Sequence, residues 1–100
     1  MVKKLADYTY NVALKTLLGQ KNGTIEVFNK DGNLTGYLNI LGKHNAFEGS
    51  IDNKGHCVIK GNLVTLVQSI PYTAEGHADE KTIDLTLKCK RYSFHLCGNS

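Results

Sequence analysis

The residues of this chain that most often bind metals or act as nucleophiles are its histidines and cysteines. They are His44, His56, His77 and His95, and Cys57, Cys89 and Cys97. The spacings of 12, 21 and 18 residues between successive histidines match no compact metal-ligand motif. Neighbouring strand residues point to opposite faces, so His56 and Cys57 cannot form a base–nucleophile pair. We therefore expect no metal site, no catalytic thiol and, because Cys89 and Cys97 have opposite strand phases, no disulfide.

Three glutamates, Glu26, Glu48 and Glu75, occupy equivalent places in a weak internal repeat. Each is next to a residue assigned to the inner face, so each should face solvent, where a lysine on the neighbouring strand is a usual partner. General acid–base catalysis needs a carboxylate in a desolvated cleft, and the sequence contains no serine-nucleophile elbow, phosphate-binding glycine loop or zinc-protease motif. The sequence thus predicts a protein that is not an enzyme and that needs no cofactor.

Five aromatic side chains share the strand phase that points inward. They are Tyr8, Tyr10, Phe47, Tyr72 and Phe94. The hydroxyl of a buried tyrosine needs a partner, which a bound ligand can supply as well as the backbone or water can. These residues are therefore the candidate lining of a pocket for a small apolar ligand. The alternative is an interior filled by its own side chains, which the short chain favours.

A second group of apolar residues has the opposite phase and should lie on the outer surface. Tyr37, Leu41, Val64 and Leu66 form the candidate interaction patch, and Leu17 and Phe28 share their phase. A few exposed apolar side chains are normal, but six of them indicate a surface for self-association or for a partner. The competing hypothesis is thus a protein-interaction or oligomerisation module, with a homodimer as its simplest assembly.

The elements that must position these residues are short strands. Apolar and polar residues alternate with period two between turn signals such as Asn22-Gly23 and Asp31-Gly32, which supply positive φ angles. The expected strands span residues 7–18, 23–30, 33–41, 46–52, 56–67, 70–78, 81–89 and 92–98. Short connections make consecutive strands antiparallel neighbours, and eight such strands can close into a small up-and-down barrel. A two-sheet sandwich or an open curled sheet is the alternative.

Several short motifs follow one another along these hairpins. The corner Thr16-Leu17-Leu18-Gly19 precedes Gly23-Thr24-Ile25-Glu26-Val27, and Asp31-Gly32-Asn33-Leu34-Thr35-Gly36-Tyr37-Leu38 and Phe47-Glu48-Gly49 come next. In these motifs nearly the whole chain resembles a type of short bacterial β domain, whose hairpins repeat a Thr-Pro-Met-Gly-like corner and Gly-Thr and Asp-Gly strands. The resemblance implies a lipocalin-like or streptavidin-like small barrel, found alone or appended to enzymes, and it implies no particular activity.

Composition and charge narrow the partners that we expect. The 100 residues carry a net charge of +3, and all the cations except Arg91 are lysines scattered along the chain. Nucleic-acid recognition favours arginine forks and clustered basic faces, so we interpret the sequence Lys88-Cys89-Lys90-Arg91-Tyr92 as a solvated hairpin tip. No apolar run could span a membrane, and the polar residues after Lys4 do not continue as a signal peptide. The sequence therefore predicts one cytoplasmic domain over residues 1–100, with no nucleic-acid or membrane partner.

Overall fold

Eight antiparallel strands account for most of the chain in a computed structural model, which describes residues 7–16, 19–64 and 68–100. They are β1 (Tyr8–Thr16), β2 (Gly19–Lys30), β3 (Asn33–Ile40), β4 (Lys43–Ile51), β5 (His56–Val64), β6 (Ser69–Ala78), β7 (Thr82–Lys88) and β8 (Ser93–Asn99). Each strand pairs with the next, and β8 pairs with β1, which closes the sheet. The predicted up-and-down barrel is therefore confirmed over the sandwich and the open sheet. The described ranges include no helix that is long and apolar enough to cross a membrane.

The period-two pattern of the sequence becomes the inside and the outside of this barrel. On β7, Ile83, Leu85 and Leu87 are buried, whereas Asp84 and Thr86 between them are exposed. Burial of one such aliphatic side chain stabilises a fold by about 1.5–3 kcal/mol. The same alternation on the other strands builds one core, so burial of the inner face favours closure of the sheet.

Two of the hairpin connections are two-residue turns with left-handed backbone. Asp31 and Gly32 have φ angles of 54° and 87°, as the Asp-Gly pair predicts. Leu41 and Gly42 form the other turn, with φ angles of 57° and 73°. The left-handed conformation is costly for a leucine, because its Cβ approaches the following carbonyl oxygen.

The predicted turn at Asn22-Gly23 is wrong, since both residues lie inside β2. Gly23 pairs with Val12 of β1, and a Cβ atom at Gly23 would overlap the carbonyl oxygen of Asn39 on β3. The glycine therefore allows two strand backbones to approach closely, and the chain does not reverse there. As a result β2 begins at Gly19, earlier than predicted.

The barrel has two ends, which we call the mouth and the closed end. The mouth contains the connections β2–β3 (31–32), β4–β5 (52–55) and β6–β7 (79–81). The closed end contains the connections β3–β4 (41–42) and β7–β8 (89–92) and the strand ends on that side. Four inward leucines of the closed half, Leu14, Leu38, Leu87 and Leu96, are at most 1% exposed.

Candidate ligand-binding site

A cavity of about 300 Å³ opens at the mouth of the barrel. Its floor is apolar and comprises Ile25, Val27, Leu34, Phe47, Cys57, Ile59, Ile83 and Leu85. Its rim is polar and comprises Asn29, Asp52, Asn53, Lys54, Gly55, His77, Asp79 and Glu80. Ligand pockets span about 300–1,000 Å³, so this cavity has the size for a small ligand.

Three of the five predicted pocket aromatics, Tyr8, Tyr10 and Phe47, line this cavity. Tyr8 is 36% exposed at the rim, whereas Tyr10 and Phe47 are buried. The rings of Tyr8 and Tyr10 stack at a centroid distance of 6.3 Å and an interplanar angle of 23°. The cavity therefore has one aromatic wall, which continues from the floor to the solvent.

The other two predicted aromatics, Tyr72 and Phe94, lie near the closed end. Tyr72 is buried beside Gly61, and Phe94 stacks on Tyr92 with ring centroids 6.2 Å apart. Among the described residues, the Tyr72 hydroxyl has no hydrogen-bond partner. Both residues begin strands that enter the barrel from the closed end, whereas Tyr8 and Tyr10 begin a strand that enters from the mouth.

Tyr10 connects β1 to the β6–β7 connection across the mouth. Its hydroxyl donates a hydrogen bond to the backbone carbonyl of Asp79. Burial raises the pKa of Tyr10 to about 12, and the charges of Tyr8 and Asp79 add to the rise. The phenol therefore stays protonated at neutral pH and acts as a hydrogen-bond donor.

Two aspartates hold the rim connections in shape. Their Oδ1 atoms accept hydrogen bonds of 2.8–3.0 Å from backbone N–H groups, those of Lys54 and His56 for Asp52, and those of Lys81 and Thr82 for Asp79. The largest contributions come from the N–H of Lys54 in one case and of Thr82 in the other, and they lower the pKa of each carboxyl. Both aspartates are thus ionised at neutral pH and serve as acceptors for the turns that follow them.

The three cysteines are free thiols that lie on two different faces of the sheet. Cys57 is part of the core and Cys89 packs against it, whereas Cys97 lies opposite the exposed Asp84 of β7. These positions agree with the predicted strand phases. Burial raises the pKa of the Cys57 thiol to about 11, so the thiolate that a nucleophile needs is scarce at neutral pH.

His56 points away from Cys57, as strand alternation predicts. Its Nε2 atom lies 3.7 Å from Oε1 of Glu75 on the outer surface. The described residues contain no group of three or more His, Cys, Asp or Glu side chains that could hold a metal ion. The polar chemistry near the cavity therefore comes from Tyr10, the rim carboxylates, Lys54 and His77.

The three repeat-related glutamates are on the outer face, where they bind neighbouring side chains. Glu48 lies directly opposite Lys60, with Oε1 and Nζ 3.7 Å apart. Glu26 accepts a hydrogen bond of 2.9 Å from the side-chain amide of Asn39, and Glu75 faces His56. None of the three lines the mouth cavity, so they belong to the sheet surface.

The described residues of the candidate interaction patch are exposed. Tyr37, Leu41 and Val64 are 36%, 39% and 37% exposed, and Leu66 lies outside the described residues. Tyr37 is at the middle of β3, where its ring stacks on His44 at a centroid distance of 3.9 Å. Leu41 and Val64 are at the closed end. The homodimer hypothesis stays a prediction, which sedimentation equilibrium tests.

The rim residues were not among the sequence-predicted site residues. Asp52 and Asp79 occur in stretches typical of turns, and turn chemistry alone explains such residues. The topology of the barrel is the signal that predicts the rim. In an up-and-down barrel alternate connections lie at the same end, so the stretches 31–32, 52–55 and 79–81 must surround one opening.

No family model, curated protein or solved structure matches this chain. The candidate function therefore depends on the chemistry of the mouth, which combines an apolar floor, a wall of stacked tyrosines and a rim of ionised carboxylates.

Proposed function

We propose that the protein binds a small, mainly apolar ligand in the mouth of its barrel. The observation that carries this proposal is a cavity of about 300 Å³ with an apolar floor at the mouth of the barrel, whereas the inward leucines Leu14, Leu38, Leu87 and Leu96 of the closed half are at most 1% exposed. Pockets of this kind, with an apolar lining and a few convergent polar groups, are the usual sites for small molecules in proteins.

The lining suggests how such a ligand would lie. Its apolar part would pack on Ile25, Phe47 and Leu85 and against the Tyr8–Tyr10 wall, and a polar group would stay at the rim near Lys54. A water molecule occupies about 30 Å³ of liquid, so the cavity has room for roughly ten non-hydrogen atoms. At ordinary ligand efficiency, a molecule of that size binds in the micromolar to millimolar range.

Binding without catalysis is the function that these groups support best. The Tyr10 phenol and the Cys57 thiol both have a raised pKa, so neither is a base or a nucleophile at neutral pH. The Oδ1 atoms of Asp52 and Asp79 already accept backbone hydrogen bonds. The groups around the cavity therefore orient and enclose a ligand.

A screen of small ligands tests this proposal. The protein is titrated at millimolar concentration with alkyl alcohols, alkyl carboxylates and phenols of increasing size, and amide and methyl NMR shifts are recorded. Binding in the cavity shifts the signals of Ile25, Phe47 and Leu85, and it raises the melting temperature because the ligand stabilises only the folded state.

A matched pair of variants locates the site. Ala78 is half-buried and lines the cavity, whereas Ala46 is exposed on the outer face. Ala78→Phe should fill the cavity and weaken binding at least about tenfold, and Ala46→Phe should leave it unchanged, because one ring displaces the ligand and the other does not. Equal binding in both variants, or floor signals that no ligand shifts, would refute the proposal.

A further inference from the structure

The closed end of the barrel is strongly basic. The closed-end slice comprises the described residues of the connections on that side and the three strand residues that flank each connection. This slice contains six exposed cations and no carboxylate, and the cations are Lys15, Lys21, Lys43, Lys88, Lys90 and Arg91. The same slice at the mouth contains three lysines and six carboxylates, which are Asp7, Asp31, Asp52, Asp79, Glu80 and Asp84. Among the described residues the two ends therefore carry opposite charge, although the net charge of the whole chain is only +3.

The basic end also carries exposed apolar side chains. Leu41, Val64 and Tyr92 are 39%, 37% and 52% exposed, and they are three of the five large hydrophobic side chains that are exposed among the described residues. Leu41 is at the tip of the β3–β4 turn, where its φ angle of 57° is unfavourable for a leucine. An aliphatic residue held at a turn tip in a strained conformation indicates a role for the side chain outside the fold.

We propose that the closed end docks on an anionic lipid surface. Peripheral proteins bind such surfaces by combining cations, which attract acidic headgroups, with apolar side chains that enter the interface. The six cations supply the first component, and Leu41, Val64 and Tyr92 supply the second. The mouth then faces away from the surface, so this inference is independent of the proposed ligand site.

A lipid surface fits this end better than a nucleic acid does. Five of the six cations are lysines, which act as point charges, whereas specific recognition of phosphate and bases favours arginine forks. Single-stranded nucleic acids also need several aromatic platforms for their bases, and Tyr92 is the one exposed aromatic residue of the described closed end. The sequence-based expectation of no membrane partner rested on the lack of an apolar run long enough to span a bilayer, and a peripheral docking surface needs no such run. Closure of the barrel brings Lys15, Lys21 and Lys43 to the same end as Lys88, Lys90 and Arg91.

Sedimentation with lipid vesicles tests this docking surface. The full chain is mixed with vesicles of phosphatidylcholine alone, or of two parts phosphatidylcholine and one part phosphatidylserine, at low and at physiological salt. Binding to the second composition only, which weakens as salt shortens the Debye length, is the expected result. Binding to neither composition, or equal binding to both, overturns the proposal.

Two charge-reversal variants with the same net charge make the test specific for the closed end. Lys88→Glu with Lys90→Glu should weaken vesicle binding by more than tenfold, since each cation near an anionic surface contributes about fivefold. Lys30→Glu with Lys81→Glu changes the mouth end by the same charge and should weaken binding by less than about twofold. Equal losses in the two variants would show a general charge effect and overturn the site.

Two further measurements test the apolar contact and the choice of lipid over nucleic acid separately. Leu41→Asn leaves the charge unchanged and suits the left-handed turn, and it should weaken vesicle binding severalfold because it removes an apolar contact. Unchanged binding would overturn the apolar part of the proposal. A single-stranded oligonucleotide that binds more tightly than the acidic vesicles at physiological salt would overturn the lipid assignment.

Discussion

The mouth and the closed end of this barrel are made by the same alternating strands but are stabilised differently. At the mouth, the connections 52–55 and 79–81 are held by carboxylate acceptors, and the inward side chains leave a cavity. At the closed end, the inward leucines Leu14, Leu38, Leu87 and Leu96 are at most 1% exposed. The comparison indicates that packing in the closed half maintains the fold, which leaves the mouth free to carry a binding site.

β4 and β5 separate toward the closed end, and a side chain bridges the gap between them. β4 and β5 are paired from Phe47–Gly61 to Ile51–Cys57 and separate beyond Gly61. In the gap, Asn45 is 3% exposed, and its Oδ1 accepts a hydrogen bond of 3.0 Å from the Val64 N–H. Its Nδ2 donates one of 2.9 Å to the Leu38 carbonyl. The buried amide thus replaces missing ladder bonds, in keeping with the rule that buried polar groups are paired.

The largest expected difference between the two halves comes from two neighbouring inward leucines of β7. Leu85 lines the mouth cavity, whereas Leu87 does not line it, and both are at most 1% exposed. Leu87→Ala should lower the free energy of unfolding by about 3–5 kcal/mol, because it creates a new void in a filled core. Leu85→Ala should cost about 1 kcal/mol less, since it enlarges a space that already exists. Equal losses in urea unfolding would contradict the contrast between the halves.

Alkaline pH should destabilise both halves through buried acids. The pKa of Tyr10 at the mouth and that of Tyr72 at the closed end are raised by burial from 10.0 to about 12. Because the folded pKa exceeds the unfolded one, stability is fully present below pH 10.0 and falls until about pH 12. Over this range the free energy of unfolding falls by up to about 1.4 kcal/mol per pH unit for each group. Urea unfolding from pH 8 to 12 measures it, and Tyr72→Phe should remove the contribution of one group.

The hydroxyl groups of the same two tyrosines should have opposite effects at neutral pH. Tyr10→Phe removes the hydrogen bond to the Asp79 carbonyl and should lower stability by about 1 kcal/mol. Tyr72→Phe removes a buried hydroxyl that has no partner among the described residues, and it should raise stability by up to about 1 kcal/mol. A loss of stability in Tyr72→Phe would show that this hydroxyl is paired in solution.

Sequence patterns could predict the face of the sheet on which each residue lies. Period two placed Leu85 inside and Asp84 outside, and the Glu48–Lys60 pair has the cross-strand form that the outward phase predicts. The Asp31-Gly32 turn was predictable for the same local reason, because few residue pairs tolerate two positive φ angles. The fold class follows from such local signals.

Height along the barrel axis could not be predicted from the same patterns. Successive partners connect Tyr8 to Tyr72 in one row, through Val27, Gly36, Phe47 and Gly61. Because the strands are staggered, this row begins at the mouth in β1 and reaches the closed end in β6. Tyr8 and Tyr72 therefore share a face and a row but not a cavity. The charge contrast between the two ends was hidden for the same reason.

The smallest expected effects come from single substitutions in the two left-handed turns, one at each end of the barrel. Leu41→Asn at the closed end should raise the free energy of unfolding by about 0.5–1 kcal/mol, because asparagine tolerates a φ angle near 57° better than leucine does. Asp31→Leu at the mouth, where φ is 54°, should lower it by a similar amount. Urea unfolding of both variants measures the difference. If Leu41→Asn were more stable and also lost vesicle binding, the strained leucine would be explained by docking, since stability alone would favour its replacement.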